Sequence, residues 1–386
     1  MNDVSPLVIE GGQVWTGEGD RRCHQRIAVI DGLIADVDEL PEAVERFDAT
    51  GCTVIPGLIE AHAHLCFSAT RDWRHVYDSD GPNRMLLRMA HHARLMVEAG
   101  ITTVRDLGAP TELAIAARDA VREGLVAGPD LLVSGAPITT TGGHCWFMGG
   151  EADGELGVRI AVRERVKAGV DWIKVMASGG NMTPGTNVEA AQYTVAELRA
   201  VVEEAHRLNK PVAAHAHGVA GIEVAVEAGV DTIEHCSFQT AAGSRVDREV
   251  VEAVARCGIV VSPTISPGFG SLSRERYAAR AEVVRALFAA GCHVVMSTDC
   301  GIPNAPHAQL ARAMALLADM GGLPALDVLR LATSRSAELL GLADRGIIAQ
   351  GKRADLLVVG GDPTRDLAAL EDVRLVVAGG QVAFRR

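Results

Sequence analysis

The sequence has no excess of basic residues: 37 Lys and Arg stand against 49 Asp and Glu, a formal net charge of -12. That balance argues against nucleic acid and anionic membranes as partners. No apolar run reaches membrane length, and Met1-Asn-Asp-Val opens no charged-then-apolar leader, so a soluble, cytoplasmic protein is expected. The eight cysteines (Cys23, Cys52, Cys66, Cys145, Cys236, Cys257, Cys292 and Cys300) never fall at CxxC spacing. In a chain this size they read as free thiols in a reducing cytosol, not as a disulfide framework. Low-complexity linkers are absent too. With 386 residues, 48% of them hydrophobic and only 4% aromatic, the chain is too long for one small core. A single large α/β barrel with a side domain would absorb it.

What is present is a cadence. Helix-like stretches end in glycine and run straight into short β-branched segments: "EAGITTVRDLG" from Glu98, "KAGVDWIKVMASGG" from Lys167, "EAGVDTIEHC" from Glu227, "RCGIVVSPT" from Arg256 and "AAGCHVVMSTD" from Ala289. Glycine is the residue that ends a helix in the left-handed conformation. Segments apolar throughout suit parallel strands buried on both faces. Adding "TVIPGLIEAHAH", "DLLVSG" and "PVAAHAH" gives eight strands separated by helix-length segments, one of which opens with a capping box, Thr194 and Glu197. The predicted fold is a (β/α)8 TIM barrel over 57–343. Both chain ends, 1–56 and 344–386, read instead as short strands joined by Gly and Asp turns, and are expected to form one small β-sandwich.

Function in such a barrel collects at the C-terminal strand ends. There the first strand offers His62 and His64, two imidazoles on one face of an extended chain. The fourth carries Lys174, the fifth His215 and His217, the sixth His235 and the eighth Asp299. Taken singly, each histidine reads as a packing residue; four strands ending in metal-ligand residue types read as a metal site. An ammonium at Lys174 inside an apolar strand is costly unless paired, for instance with Glu151, or deprotonated. A free amine could take up CO2, and the resulting carbamate has two oxygens able to bridge two cations. Two divalent ions held by neutral imidazoles and one aspartate leave positive charge that such a carbamate helps to balance.

The order HxH, Lys, His, His, Asp resembles the amidohydrolase superfamily, over essentially the whole chain. "PGLIEAHAHL", "TTTGGH" before His144, "IKVMASGG" and "AAHAHG" resemble its binuclear members that cleave Xaa-Pro dipeptides and N-acyl amino acids. The resemblance implies one metal on His62, His64, Lys174 and Asp299, and a second on Lys174, His215 and His235. Zn2+ suits the imidazole and oxygen ligands best, although manganese, cobalt, nickel or iron fit the same set. In "HAH" both histidines share a face; the resemblance makes His215 the ligand and puts His217, often tyrosine in relatives, at the substrate carbonyl. A metal-bridging hydroxide is then expected to attack that carbonyl, with His217 or His144 aiding its polarisation. Asp299 is the expected general base, then acid.

The implied partner is a small molecule with an amide-like C–N bond, such as a dipeptide or N-acyl amino acid. An aryl urea or carbamate is the alternative. A mononuclear deaminase or imidazolone-type cyclic amide hydrolase on the same barrel is a further one, but such relatives usually lack the lysine and place a glutamate soon after the strand-five histidine. "HAHGVAG" supplies none. A non-catalytic assembly protein would have lost ligands that this chain keeps. Relatives commonly self-associate, so a homo-oligomer is implied. Loops after strands one and three bring Trp73, Tyr77, Trp146, Phe147 and Met148 towards the mouth, as substrate contacts or as ordinary loop packing. His91 and His92 are read as a solvated helix face, and His24, His75, His206, His293 and His307 are given no role. Thr298 and Cys300 flank Asp299 as supports, with Cys300 a candidate oxidation-sensitive thiol. No motif ties an arginine to the pocket.

Overall fold

A computed structural model describes residues 5–20 and 23–386. Eight parallel strands carry the fold: β1 (Leu58–Ala63), β2 (Ile101–Asp106), β3 (Asp130–Val133), β4 (Ile173–Met176), β5 (Val212–Ala216), β6 (Thr232–His235), β7 (Val260–Ser262) and β8 (His293–Val294). Each is followed by a helix: α1 (Pro82–Glu98), α2 (Thr111–Arg122), α3 (Gly154–Ala168), α4 (Val195–Arg207), α5 (Val219–Ala228), α6 (Arg248–Arg256), α7 (Arg274–Ala289) and α8 (Leu310–Gly321). The glycine cadence works as the sequence suggests. Gly169 and Gly229 cap α3 and α5 with φ of 97° and 79°, and Gly100, Gly258 and Gly291 share the left-handed region. The capping box at Thr194 and Glu197 opens α4.

The strands pair as two parallel sheets, β3-β2-β1 and β4-β5-β6-β7-β8. Main-chain hydrogen bonds also run between the two sheets and the segments that follow their strands, in two places. On one side Ile138 N donates to Lys174 O (2.8 Å) and Met176 N to Ile138 O (2.9 Å). On the other, Ala61 N donates to Met296 O (3.1 Å) and Asp299 N to His62 O (2.9 Å). The eighth segment is regular strand only at His293 and Val294, and Asp299 lies beyond it in a left-handed turn, φ 60°.

The chain ends meet. A six-stranded sheet runs Gln381–Arg385, Val373–Ala378, Leu356–Gly360, Cys52–Pro56, Gln13–Val14, Cys23–His24, so C-terminal and N-terminal strands lie side by side. A second sheet runs Leu33–Ala35, Ile27–Ile30, Leu7–Glu10, Glu45–Asp48. Leu7, Ile9, Val29, Phe47, Val54, Leu356, Val358 and Leu375 bury their side chains together in one apolar cluster contributed by both sheets. The Cys52–Pro56 strand passes into β1 with only Gly57 between, which fixes where His62 and His64 emerge. All eight cysteines are free. No described helix is long and apolar enough to cross a membrane.

Candidate metal centre

Because β1 is extended, Glu60, His62 and His64 recur on one face. His62 Nδ1 donates to Glu234 Oε2 at 2.7 Å, which leaves Nε2 with its lone pair 3.3 Å from His64 Nε2 and 3.5 Å from Asp299 Oδ1. His64 Nδ1 donates to the Gly108 carbonyl at 3.0 Å, and its Nε2 stands 3.2 Å from the same Asp299 oxygen. That oxygen is buried without a hydrogen-bond partner. A second group forms where β5 and β6 end. His215 Nε2 donates to Gly179 O (3.0 Å), turning Nδ1 to within 2.8 Å of His235 Nε2, while His235 Nδ1 is held by Thr264 Oγ1 at 2.9 Å. His217 stacks on His235 at 4.4 Å, with Nδ1 2.8 Å from Ser237 Oγ.

Within each group, His62/His64/Asp299 and His215/His217/His235, the ligand atoms lie within 4.8 Å of one another. His62, His64, His215 and His235 thus each have one nitrogen tethered and the other turned towards a neighbouring group member, the tethering that metal-binding histidines use. Burial, the largest influence, pushes His62 down to about 4 and His215 and His235 well below the ordinary histidine range. Their lone pairs are therefore free at neutral pH, as ligation requires. His64 is the exception: burial lowers it, but the Asp299 carboxylate outweighs that and raises it. The donor set fits divalent cations.

Lys174, on β4, is 2% exposed and lines the same cavity as both groups. Burial brings its ammonium down to about 8 against the opposing pull of Glu234 and Asp299. It does not pair with Glu151, whose Oε1 instead accepts from Gly142 N at 2.7 Å. His144, in the loop after β3, packs 4.6 Å from the His215 ring with its Nδ1 unpartnered, and its main-chain N donates to Gln192 Oε1 (2.6 Å). Burial first, then the His217 and Lys174 charges, hold it near 3. The His144 ring lies on Gly180, where a Cβ would come 2.3 Å from Nε2. The main chain is also bent at the site, with left-handed φ at His235 (70°), Cys236 (40°) and Asp299 (60°).

All the expected site residues, His62, His64, His144, Lys174, His215, His217, His235 and Asp299, line one cavity. The sequence reading missed their supports. Glu60 Oε1 accepts from His62 N (3.0 Å) and Thr298 N (2.9 Å), and its Oε2 accepts from Thr298 Oγ1 (2.6 Å), so it ties β1 to the Asp299 turn. Burial raises its carboxyl to about 8. The signal was present, since Glu60 alternates with the two histidines. Glu234 is fixed by the fully buried Arg105 at 2.8 Å, a link spanning 129 residues of chain.

Of the two readings of the loop aromatics the structure favours packing, while His92 and Cys300 depart from expectation. Trp73, Tyr77 and Phe147 pack against one another and Phe67 in an aromatic cluster beside the cavity, and of these only Phe67 lines it. Trp146 and Met148 also stay off its wall. His92 is not on a solvated face. It is 8% exposed, stacks on the buried His307 at 3.8 Å, and bonds the Leu65 carbonyl through Nδ1 at 2.9 Å. His307 in turn donates to His64 O at 3.1 Å, so the pair supports the first-strand histidines. Cys300 is buried, and burial drives its thiol well above the ordinary range, the environment of an inert cysteine. Thr298 is a support, as expected.

Fold and site together define a class: a parallel α/β protein with histidines and a carboxylate gathered at its strand ends in two groups that could hold metal ions. Residues 53–383 match the model of the amidohydrolase family, and the chain belongs to that family. Membership makes it a hydrolase acting on carbon–nitrogen bonds, in a family that generally uses a divalent metal centre. It is 28% identical to the ochratoxinase of Aspergillus niger over 97% of this chain and 85% of that protein. It is 25% identical to an imidazolonepropionase of Salinispora arenicola, over 97% and 95%. Among solved structures, a Xaa-Pro dipeptidase with methionine bound in its active site superposes with a TM-score of 0.87 at 28% identity, covering 99% of this chain and all of that one, 100%.

Proposed function

We propose that this protein hydrolyses an amide-like C–N bond in a small molecule of the dipeptide or N-acyl amino acid kind, with two divalent cations, zinc by ligand chemistry, at the centre. The carrying observation is that two groups of tethered imidazoles share one cavity with a buried lysine. The dipeptidase and ochratoxinase likenesses support the bond type. His62, His64 and Asp299 would hold one ion, and His215 and His235 the other. Lys174 Nζ, after adding to the carbon of CO2 and losing a proton, would supply carboxylate oxygens as further ligands. Bound cations would contribute Lewis-acid polarisation and a water of lowered pKa.

The side chains do the rest. Asp299, its Oδ1 otherwise unpartnered, takes a proton from the attacking water and returns it to the leaving amine. His144, neutral and with a free Nδ1, and His217, braced by Ser237, orient the scissile carbonyl. The stacked His92 and His307 and the carboxyl of Glu60 hold the first-strand ligands in place. In this reading the hydrogen bonds between the two sheets close the eight strands into a (β/α)8 barrel over 57–343. The two chain-end sheets, from 1–56 and 344–386, form a β-sandwich; residues 1–4, 21 and 22 of that assignment lie outside the described residues. Eight free thiols suit a cytoplasmic protein. The test is a library of N-acyl amino acids, Xaa-Pro dipeptides, aryl ureas and carbamates on zinc-loaded protein, with metal analysis beside it. Roughly two metals per chain and turnover of an amide are expected. Turnover confined to cyclic ureas or lactones would make the bond assignment wrong.

A further inference from the structure

We propose that a pocket between the starts of α1 and α2 binds a small carboxylate with an apolar body, held by Arg165 and by the open first turn of α2. This pocket lies apart from the metal cavity and shares no lining residue with it.

At about 350 Å3 the pocket has the size of a small-molecule site. Arg165, on α3, lines it with a side chain only 9% exposed. Its Nε donates to the Ala136 carbonyl at 3.1 Å, which orients the guanidinium. Nη1 comes no nearer than 3.5 Å to the exposed Glu164, and Nη2 has no partner among the described residues. Neither nitrogen is among the unpartnered polar atoms that the fold seals from solvent, so both keep accessible surface beside the pocket. Burial pulls this guanidinium down, and neither Glu164 nor the Tyr193 phenol, itself pushed up by burial, makes that good. A planar anion is the ligand that the fork of such a guanidinium satisfies.

Helix α2 supplies further donors to the same space. Its N-cap is Pro110, no side chain caps it, and the N–H groups of Thr111 and Glu112 meet no acceptor among the described residues. Both residues line the pocket. The positive end of a helix favours an anion, as the guanidinium does. The acidic side chains at the wall do not fill that role. Asp80 is taken up by Arg84 at 3.1 Å and Arg88 at 2.7 Å, and Glu112 is exposed. Met85, Leu113, Ala136 and Met148 complete an apolar wall that an inorganic anion would leave bare, so the ligand carries an apolar body behind its carboxylate. Met148 and Gly149 closely follow His144 in the chain, and the pocket therefore borders the loop that carries that histidine into the metal cavity.

Calorimetric titration of the metal-loaded protein with benzoate and with benzamide tests the site. Benzoate should bind at least about 10-fold more tightly than benzamide, the worth of a hydrogen bond to a charged group. Arg165→Gln should erase that preference, and Arg165→Lys should keep part of it. Leu113→Trp, which fills the pocket and leaves Arg165 in place, should weaken benzoate as well, and it decides the matter if Arg165→Gln does not fold. Metal ions also bind carboxylates, so the position is read separately, from the anomalous scattering of bromine in crystals grown with para-bromobenzoate. Bromine is expected between the starts of α1 and α2. Bromine found only among the histidines overturns the proposal. So does equal binding of acid and amide, benzoate binding unchanged in both Arg165→Gln and Leu113→Trp, or no saturable heat with benzoate.

Discussion

Lys174 is a cation only 2% exposed, which a fold tolerates when something in the same cavity uses it. Lys174→Met keeps the volume and discards the amine. The variant should be as stable as the parent or more so, since replacing buried charge by a hydrophobe is often neutral or favourable. It should hold fewer than two metals per chain and lose at least about 10³-fold in kcat/KM, several kcal/mol of transition-state stabilisation. Elemental analysis and a thermal melt check both halves. Asp299→Asn should keep the fold and reduce kcat by about 10²- to 10⁴-fold, the span of a lost general base. Near-wild-type turnover would take proton transfer away from Asp299. Site residues such as His62 and His64 were legible because alternation places them on one face, and both line the cavity. Their anchors were not, because Glu234 reaches His62 from 172 residues away and nothing local announces that contact.

At the scale of elements, the glycine cadence was readable because a left-handed helix end favours glycine above other residues, although Asn209 takes the same conformation after α4 (φ 55°). Strand β8 was less so: its apolar segment "CHVVMSTD" folds as regular strand over two residues only, then bends so that Asp299 faces the histidines. His92 misled because α1 carries a histidine pair, one of which turns inwards to a carbonyl of the first-strand loop. The "SGG" after β4 has a meaning that only packing reveals. Gly180 is where His144 rests, so Gly180→Ala forces a Cβ into a 2.3 Å approach to Nε2. Displacing that ring by about 1 Å should cost about 10²-fold in kcat, while the melting temperature moves little. Steady-state kinetics beside a melt separates this outcome from general destabilisation.

Across the whole molecule, the chain ends were recognisable as strands because both read alike, whereas their side-by-side order required long-range pairing that no local pattern encodes. One ion pair fastens the C-terminal segment to the parallel sheet: Arg345 Nη1 lies 2.8 Å from Asp130 Oδ2 at the start of β3, both side chains 8% exposed. Burial alone would raise the Asp130 carboxyl, but Arg345 and Arg353 outweigh it and hold it below the usual carboxylate range. A carboxylate depressed in the folded state stabilises at pH above its unfolded value of about 4, and that contribution is lost as pH falls through the folded value. Asp130→Asn should therefore cost about 3–5 kcal/mol at pH 7, and the gap from wild type should narrow below about pH 4. Paired denaturant titrations at the two pH values measure it; a gap of equal size at both would mean that charge is not what joins the two parts.

The bent main chain at His235, Cys236 and Asp299 puts a ceiling on how durable a working copy of this enzyme can be. Lineages pressed only to survive heat would be free to trade these positions for residues more at ease in that conformation. Lineages that must also turn over substrate have to leave them alone and gain their toughness elsewhere.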